Sequence, residues 1–167
     1  MRIEQALLTV KTRVVILSLI VAWALSFLTI PQTVWLDWMG FILLFWTVYQ
    51  PSRISYVLAF GLGILMDVQQ AGVLGQHALM YVWLVFAMGL VAQRLQYSSV
   101  LMHALAATGL MFLAQLLRAL GHLIFTGETV SLAPMAWILL GVAGWLFLAW
   151  LIARGAESRT VGSWLAD

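Results

Sequence analysis

Apolar runs separated by short polar connectors fill almost the whole chain. An α-helix rises about 1.5 Å per residue, so a hydrocarbon core about 30 Å thick takes about 20 residues to cross. Backbone groups inside lipid have no water to bind, and these runs lack the alternation of barrel strands, so the pattern predicts helices. The six predicted spans are residues 14–30, 38–49, 54–66, 73–92, 100–125 and 132–153.

The third predicted span is the shortest, and it lies between two distinctive connectors. It follows a polar hinge at 51–53 and ends at Asp67, before a loop with two glycines. Its length covers only about 20 Å by helical rise. A re-entrant segment is the alternative, but it would move Arg94 and the C-terminal basic residues to the outer face. We therefore predict a true crossing.

The composition agrees with a lipid environment. Hydrophobic residues make up 64% of the 167 residues and charged residues only 8%, against about 25% charged in soluble domains. The chain has no cysteine, which excludes disulfides and thiolate metal sites. Its net charge of +2 is too small to indicate a nucleic-acid partner.

The positions of the charges predict the orientation. With the N-terminus inside, the inner segments are 1–13, 50–53, 93–97 and 154–167, and they hold seven of the eight basic residues. The outer loops hold Asp37, Asp67 and Glu128 and no Lys or Arg. This is the positive-inside pattern. It predicts an all-α integral membrane protein, N-in and C-in, with a cytoplasmic basic N-terminus (1–13), a six-helix transmembrane domain (14–153) and a cytoplasmic tail (154–167).

The sequence offers little catalytic chemistry. The predicted loops are too short to build an active site outside the membrane, and no Asp-x-x-Asp, His-Glu-x-x-His or Gly-x-Ser-x-Gly motif occurs. Catalysis on a lipid would need a convergent acid and base or a metal held by carboxylates. We therefore predict a protein that is not an enzyme and holds no metal or cofactor.

A polar stripe lies in the fifth predicted span. Gln115, Arg118 and His122 fall within a wedge of about 60° of a helix, and such a stripe faces a bundle interior or a cavity. It is either a binding site for a partner or a structural seam between helices. Asp67 and Arg118 both belong to the outer half of the membrane, and pairing them would relieve the cost of two isolated charges. We predict an ion pair between them.

Small residues surround Asp67. Ala59 and Gly63 form a small-xxx-small pair that would let another helix approach closely. Gly72 and Gly75 permit backbone angles that other residues resist, so a specific folded loop is favoured over generic membrane packing. His77 follows directly, and we expect it to cap or contact this loop.

Two stretches of the chain resemble a known family. They are the Trp-led run 38–46 with the hinge at 51–54, and the run 60–67 followed by Gly-x-Leu-Gly at 72–75 and an Ala-Leu pair at 78–79. Both resemble the rod shape-determining protein MreD family, and length and topology fit over nearly the whole chain. The residues that match the hinge and loop of the family are Pro51, Arg53, Gly63, Gly72, Leu74 and Gly75.

The resemblance implies a non-enzymatic subunit of the bacterial inner membrane that acts in lateral cell-wall elongation. Its expected role is to hold an MreC-type partner and to help couple the actin-like MreB filament to peptidoglycan synthesis by a RodA-type polymerase and a class B penicillin-binding protein. The family is also similar in fold to the substrate-binding S-components of vitamin transporters. A small-molecule capture subunit is therefore the alternative function, although the short outer loops favour the first.

Overall fold

The computed structural model describes the backbone of residues 10–28, 37–70, 74–95, 98–126 and 139–164 and the side chains of 10–27, 37–70, 74–95, 98–117, 141–152 and 154. Within these ranges the chain is all-helical and contains no strand. The described α-helices are α1 (Thr12–Leu28), α2 (Trp38–Tyr49), α3 (Tyr56–Gln69), α4 (Gln76–Arg94), α5 (Val100–Thr126) and α6 (Leu139–Trp164), with a 3₁₀ turn at Pro51–Arg53.

Each described helix overlaps one predicted span, but several ends differ. Helix α3 begins later than predicted because the Ser55 hydroxyl accepts a hydrogen bond from the Leu58 N–H (3.1 Å) and caps the helix. It also continues past Asp67 to Gln69, while α4 begins only after Gly75. Helix α6 continues beyond residue 153 to Trp164, so the predicted tail begins as a helix.

Helix α2 is the centre of the bundle. Ten of its twelve residues are buried, as expected for a helix that is apolar on all sides. Phe45 and Trp46 are fully enclosed, and the Trp46 indole N–H donates to the Ser18 hydroxyl of α1 (2.7 Å). Helices α1, α4 and α5 pack around α2, and Trp145 of α6 completes the aromatic core.

Contacts at the two ends of α2 give the directions of its first neighbours. The Tyr81 hydroxyl, in the second turn of α4, donates to Asp37 at the start of α2 (2.7 Å). Helix α4 therefore runs in the same direction as α2. Arg53, just after α2, donates to the Thr12 hydroxyl at the start of α1. Helix α1 therefore runs in the opposite direction.

Helices α5 and α6 continue this alternation. The His103 ring, in the first turn of α5, lies 6.1 Å from the Tyr49 ring at the end of α2, so α5 is antiparallel to α2. A Cβ on Gly141 in α6 would lie 3.8 Å from the Phe41 ring. Trp145, one turn later, reaches the Tyr49 ring at 6.2 Å, so α6 runs parallel to α2.

The alternating directions separate the described charges. Asp37 and Asp67 lie at one end of the bundle, hereafter the acidic end. The opposite end, hereafter the basic end, carries the Lys and Arg residues whose side chains are described: Lys11, Arg13, Arg53, Arg94 and Arg154.

The outer faces of the helices are apolar. Val57 on α3 and Leu79 on α4 are 82% and 69% exposed, and α1, α5 and α6 also expose large hydrophobic residues. Exposed apolar area of this extent is rare on a soluble monomer and indicates a lipid-facing surface. Two of the described helical stretches, Gln76–Arg94 and Val100–Leu117, are long and apolar enough to cross a membrane, and the other apolar helices of the described chain are shorter.

Candidate functional site

The carboxylate of Asp67 joins the end of α3 to the start of α4. Its Oδ2 accepts a hydrogen bond from the Gly75 N–H (2.7 Å), and its Oδ1 accepts one from the His77 N–H (2.8 Å). The His77 Nδ1 also lies 2.8 Å from Oδ1. A carboxylate only accepts hydrogen bonds, so Nδ1 is the donor. Asp67 is only 1% exposed, and every contact is made away from bulk water.

Asp67 supplies the cap that α4 lacks in its own sequence. The first N–H groups of a helix have no acceptor within the helix. Gly75 occupies the N-cap position and has no side chain to offer. A negative charge at this end also interacts favourably with the helix dipole. The preceding helix therefore provides the acceptor that a Ser, Thr, Asp or Asn at the cap would provide elsewhere.

Gly63 lets the two helices come close enough for this contact. A Cβ built on Gly63 would overlap the Cα of Ala78 and would lie 2.5 Å from its amide nitrogen. Gly63 and Asp67 are four residues apart and share one face of α3. The close approach predicted at Gly63 is thus present, and the same face carries the carboxylate that caps α4.

A second carboxylate extends the site to the central helix. Asp37 caps α2 by accepting from the Gly40 N–H (2.9 Å), and its Oδ1 also accepts from the Tyr81 hydroxyl (2.7 Å). Tyr81 lies one turn after His77, and the two rings pack edge to face at 6.0 Å. Asp37, Asp67, His77 and Tyr81, hereafter the acidic-end cluster, therefore tie α2, α3 and α4 together.

The hydrogen bonds of the two carboxylates are structural contacts between helices. Within the described ranges, no group of three or more His, Cys, Asp or Glu side chains could hold a metal ion. The carboxylates instead bind backbone N–H groups, one histidine and one tyrosine. What the cluster does is fix the geometry of three helix ends.

The family model described as rod shape-determining protein MreD matches residues 4–153. The chain belongs to the MreD family. No curated protein and no solved structure matches it significantly.

Membership of the MreD family confirms the resemblance predicted from the sequence. It gives the chain a role in rod shape determination, and it makes the chain a member of a family of shape-determining membrane proteins rather than a known enzyme family. The apolar outer faces of the described helices agree with a membrane protein.

The two signature segments of this MreD-family chain lie at opposite ends of the bundle. Gly63 and Gly75 take part in the junction of α3 and α4 at the acidic end, and Leu74 is exposed there. Pro51 and Arg53 form the 3₁₀ turn between α2 and α3 at the basic end. The structure therefore does not bring the hinge and the loop together.

The remaining predicted site residues are only partly described. Gln115 is buried on α5. Gly72 and the side chains of Arg118 and His122 lie outside the described residues. The ion pair between Asp67 and Arg118 thus stays a prediction. His77 contacts Asp67 in the last turn of α3, and its expected contact with the loop also stays a prediction.

Sequence reasoning missed the parts that Asp37 and Tyr81 play in the acidic-end cluster, and the glycine at Gly40 beside them. An aspartate directly before an apolar helix is an N-cap signal, and it could have identified Asp37 as a cap. A Cβ on Gly40 would lie 2.8 Å from the Asp37 Oδ2, so glycine leaves room for the carboxylate. Nothing in the sequence pairs Tyr81 with Asp37, because that contact depends on how α4 packs on α2.

We expect Gly75→Ala to destabilise the protein by about 1–2 kcal/mol, the cost of a left-handed backbone for a residue with a Cβ. Gly75 has a φ of +97°, and no atom of the described residues lies within 4 Å of where its Cβ would be, so we expect a conformational cost. The matched control is Gly89→Ala in the interior of α4, which also has open space and should be neutral or stabilising. Thermal unfolding in detergent measures both, and equal midpoints for the two variants would contradict the prediction.

Proposed function

We propose that this MreD-family protein is a multi-pass subunit of the bacterial inner membrane that holds an MreC-type partner through helix contacts and helps couple the cytoplasmic MreB filament to peptidoglycan synthesis. A RodA-type polymerase and a class B penicillin-binding protein are the further partners. The observation that carries the proposal is the match of the MreD family model to residues 4–153.

The acidic-end cluster supports a scaffolding role. Its hydrogen bonds fix the ends of three helices. A scaffold needs a rigid arrangement of helix faces, and the apolar outer faces of α1 and α3 are available for lipid or for a partner helix. We propose that Gln115, Arg118 and His122 form either part of that partner contact or a seam between helices.

The proposal includes six crossings, with both termini in the cytoplasm, and a fold similar to transporter S-components. The separation of the described charges into a basic and an acidic end supports the orientation, since basic residues favour the cytoplasmic side. The similarity to S-components rests on the family resemblance alone.

Reporter fusions test the topology. Fusions after Arg94, Glu128 and Arg154 are expected to report cytoplasm, periplasm and cytoplasm, because the inner segments carry seven basic residues and the outer loops none. A periplasmic signal at Arg154 would contradict the six-crossing arrangement.

Depletion in a rod-shaped host tests the function. Cells are expected to become round, and an MreC-type protein should co-purify with the tagged protein and fall in abundance when it is depleted. Normal shape and normal recovery of the MreC-type protein, with growth that fails only for want of a vitamin, would replace the proposal with the transporter function.

A further inference from the structure

Three basic residues from two segments of the chain lie near one another at the basic end of the bundle. Arg53, in the turn between α2 and α3, donates to the hydroxyl of Thr12 at the start of α1. Lys11 and Arg13 flank Thr12 in the chain, and both are exposed. Two segments that are far apart in sequence therefore bring three basic residues to the neighbourhood of Thr12.

Among the side chains that the structure describes, no carboxylate lies at the same end as these cations. The described carboxylates, Asp37 and Asp67, lie at the acidic end. A guanidinium has five N–H donors, and the contact with Thr12 is the one hydrogen bond that Arg53 makes from its side chain among the described residues. Lys11 and Arg13 form no salt bridge there. The start of α1 adds the partial positive charge of a helix N-terminus.

An apolar surface begins directly beside the three cations. Ile16, Leu17, Ile20 and Val21 of α1 are each about half exposed, and they lead away from the basic end along the helix. A ligand that fits both features has a negatively charged head and long hydrocarbon chains. Free phosphate would match the cations but has no hydrocarbon chains to cover the apolar surface.

We propose that Lys11, Arg13 and Arg53 form a binding site for the phosphate headgroup of an anionic phospholipid, whose acyl chains lie along the exposed face of α1. The bound lipid would tie the start of α1 to the turn between α2 and α3 at the membrane surface. The inference requires the protein to be embedded in a membrane, but it does not depend on the MreC-type partner.

Lipid titration of the full-length protein in neutral detergent tests the proposal. Binding of phosphatidylglycerol, followed by native mass spectrometry, is expected to be tighter than binding of phosphatidylcholine. Each cation near a membrane surface contributes about a fivefold change in affinity. Arg53→Gln should therefore raise the apparent Kd about fivefold, and Lys11→Gln with Arg13→Gln together by about 25-fold.

The matched control is Arg94→Gln, which removes an exposed cation at the same end but outside the proposed lipid site. It should change the Kd by less than about twofold. Equal effects of Arg53→Gln and Arg94→Gln would overturn the proposal, because attraction would then come from the overall charge of this end. Competition by inorganic phosphate at equal concentration would also overturn it and would indicate a site for a soluble anion. If Arg53→Gln fails to fold, the lipid affinity of the double variant Lys11→Gln with Arg13→Gln still tests the proposal, because both residues are exposed.

Discussion

Replacing Gly63 with leucine is expected to prevent accumulation of the folded protein. A Cβ at this position would overlap the Cα of Ala78 and would lie 2.7 Å from the carbonyl carbon of His77. Those atoms belong to the backbone of α4, so no side-chain rotation can relieve the clash. Overpacking in a well-packed core typically costs about 1–3 kcal/mol. Here α3 and α4 would have to separate, which would also break the hydrogen bonds of Asp67, so we expect a larger loss.

Gly61→Leu is the matched control for this prediction. Gly61 lies on the same helix, two residues earlier, and is exposed, with no atom of the described residues within 4 Å of where its Cβ would be. The same change there adds an apolar side chain to an apolar outer face and should leave protein level and thermal unfolding nearly unchanged. Membrane-inserted protein can be quantified for both variants in parallel. Comparable levels of the two variants would mean that α3 and α4 do not pack as closely as described.

The sequence predicted the helical segments well because burial in lipid and burial in the core both require apolar residues. For the same reason, the sequence does not show that α2 is the central helix. Residues 38–49 read like any other span, and only the packing of α1, α4, α5 and Trp145 around them makes α2 the central helix. A span covered by protein and a span covered by lipid have the same apolar composition, so the sequence does not distinguish them.

The junction of α3 and α4 was predicted in part. Glycines near a lone carboxylate indicated a folded loop, and the positive φ of Gly75 agrees with that expectation. The end of α3 was placed too early because Asp67 was taken as the end of the span. In the fold it lies within the last turn of α3, and its side chain caps the next helix. A cap supplied by a different helix leaves no local sequence signal. For this reason the predicted end of α3 and the predicted start of α4 were wrong.

Asp67→Asn is expected to destabilise the protein by about 1–3 kcal/mol, the usual cost of leaving a buried polar group without a partner. Asp67 uses both oxygens: Oδ2 accepts from Gly75, and Oδ1 accepts from the backbone and ring of His77. An asparagine has one carbonyl oxygen, so its amide group must face one of these donors. The backbone N–H groups cannot change their role, and at least one buried donor loses its acceptor.

Asp37→Asn is the matched control, and it should be tolerated. Both hydrogen bonds of Asp37 use Oδ1, while Oδ2 is buried without a partner among the described residues. An asparagine can keep its oxygen at the Oδ1 position, and asparagine caps helices as well as aspartate does. Thermal unfolding in detergent compares the two variants directly. If Asp37→Asn is as damaging as Asp67→Asn, the negative charge matters more than the hydrogen-bond pattern.

Double-mutant cycles test whether Asp67 interacts only with His77, its observed partner, or also with Arg118, its predicted partner. Asp67→Asn combined with His77→Ala should cost less than the sum of the single changes, because the contact between Oδ1 and Nδ1 can be lost only once. The predicted ion pair with Arg118 requires the same non-additivity for Asp67→Asn combined with Arg118→Gln, since each single change would leave a charge without its partner. Coupling in the first cycle and strict additivity in the second would make Asp67 a helix cap held within the junction of α3 and α4. Coupling in both would mean that the cap is also tied to α5, so that one carboxylate links three helices.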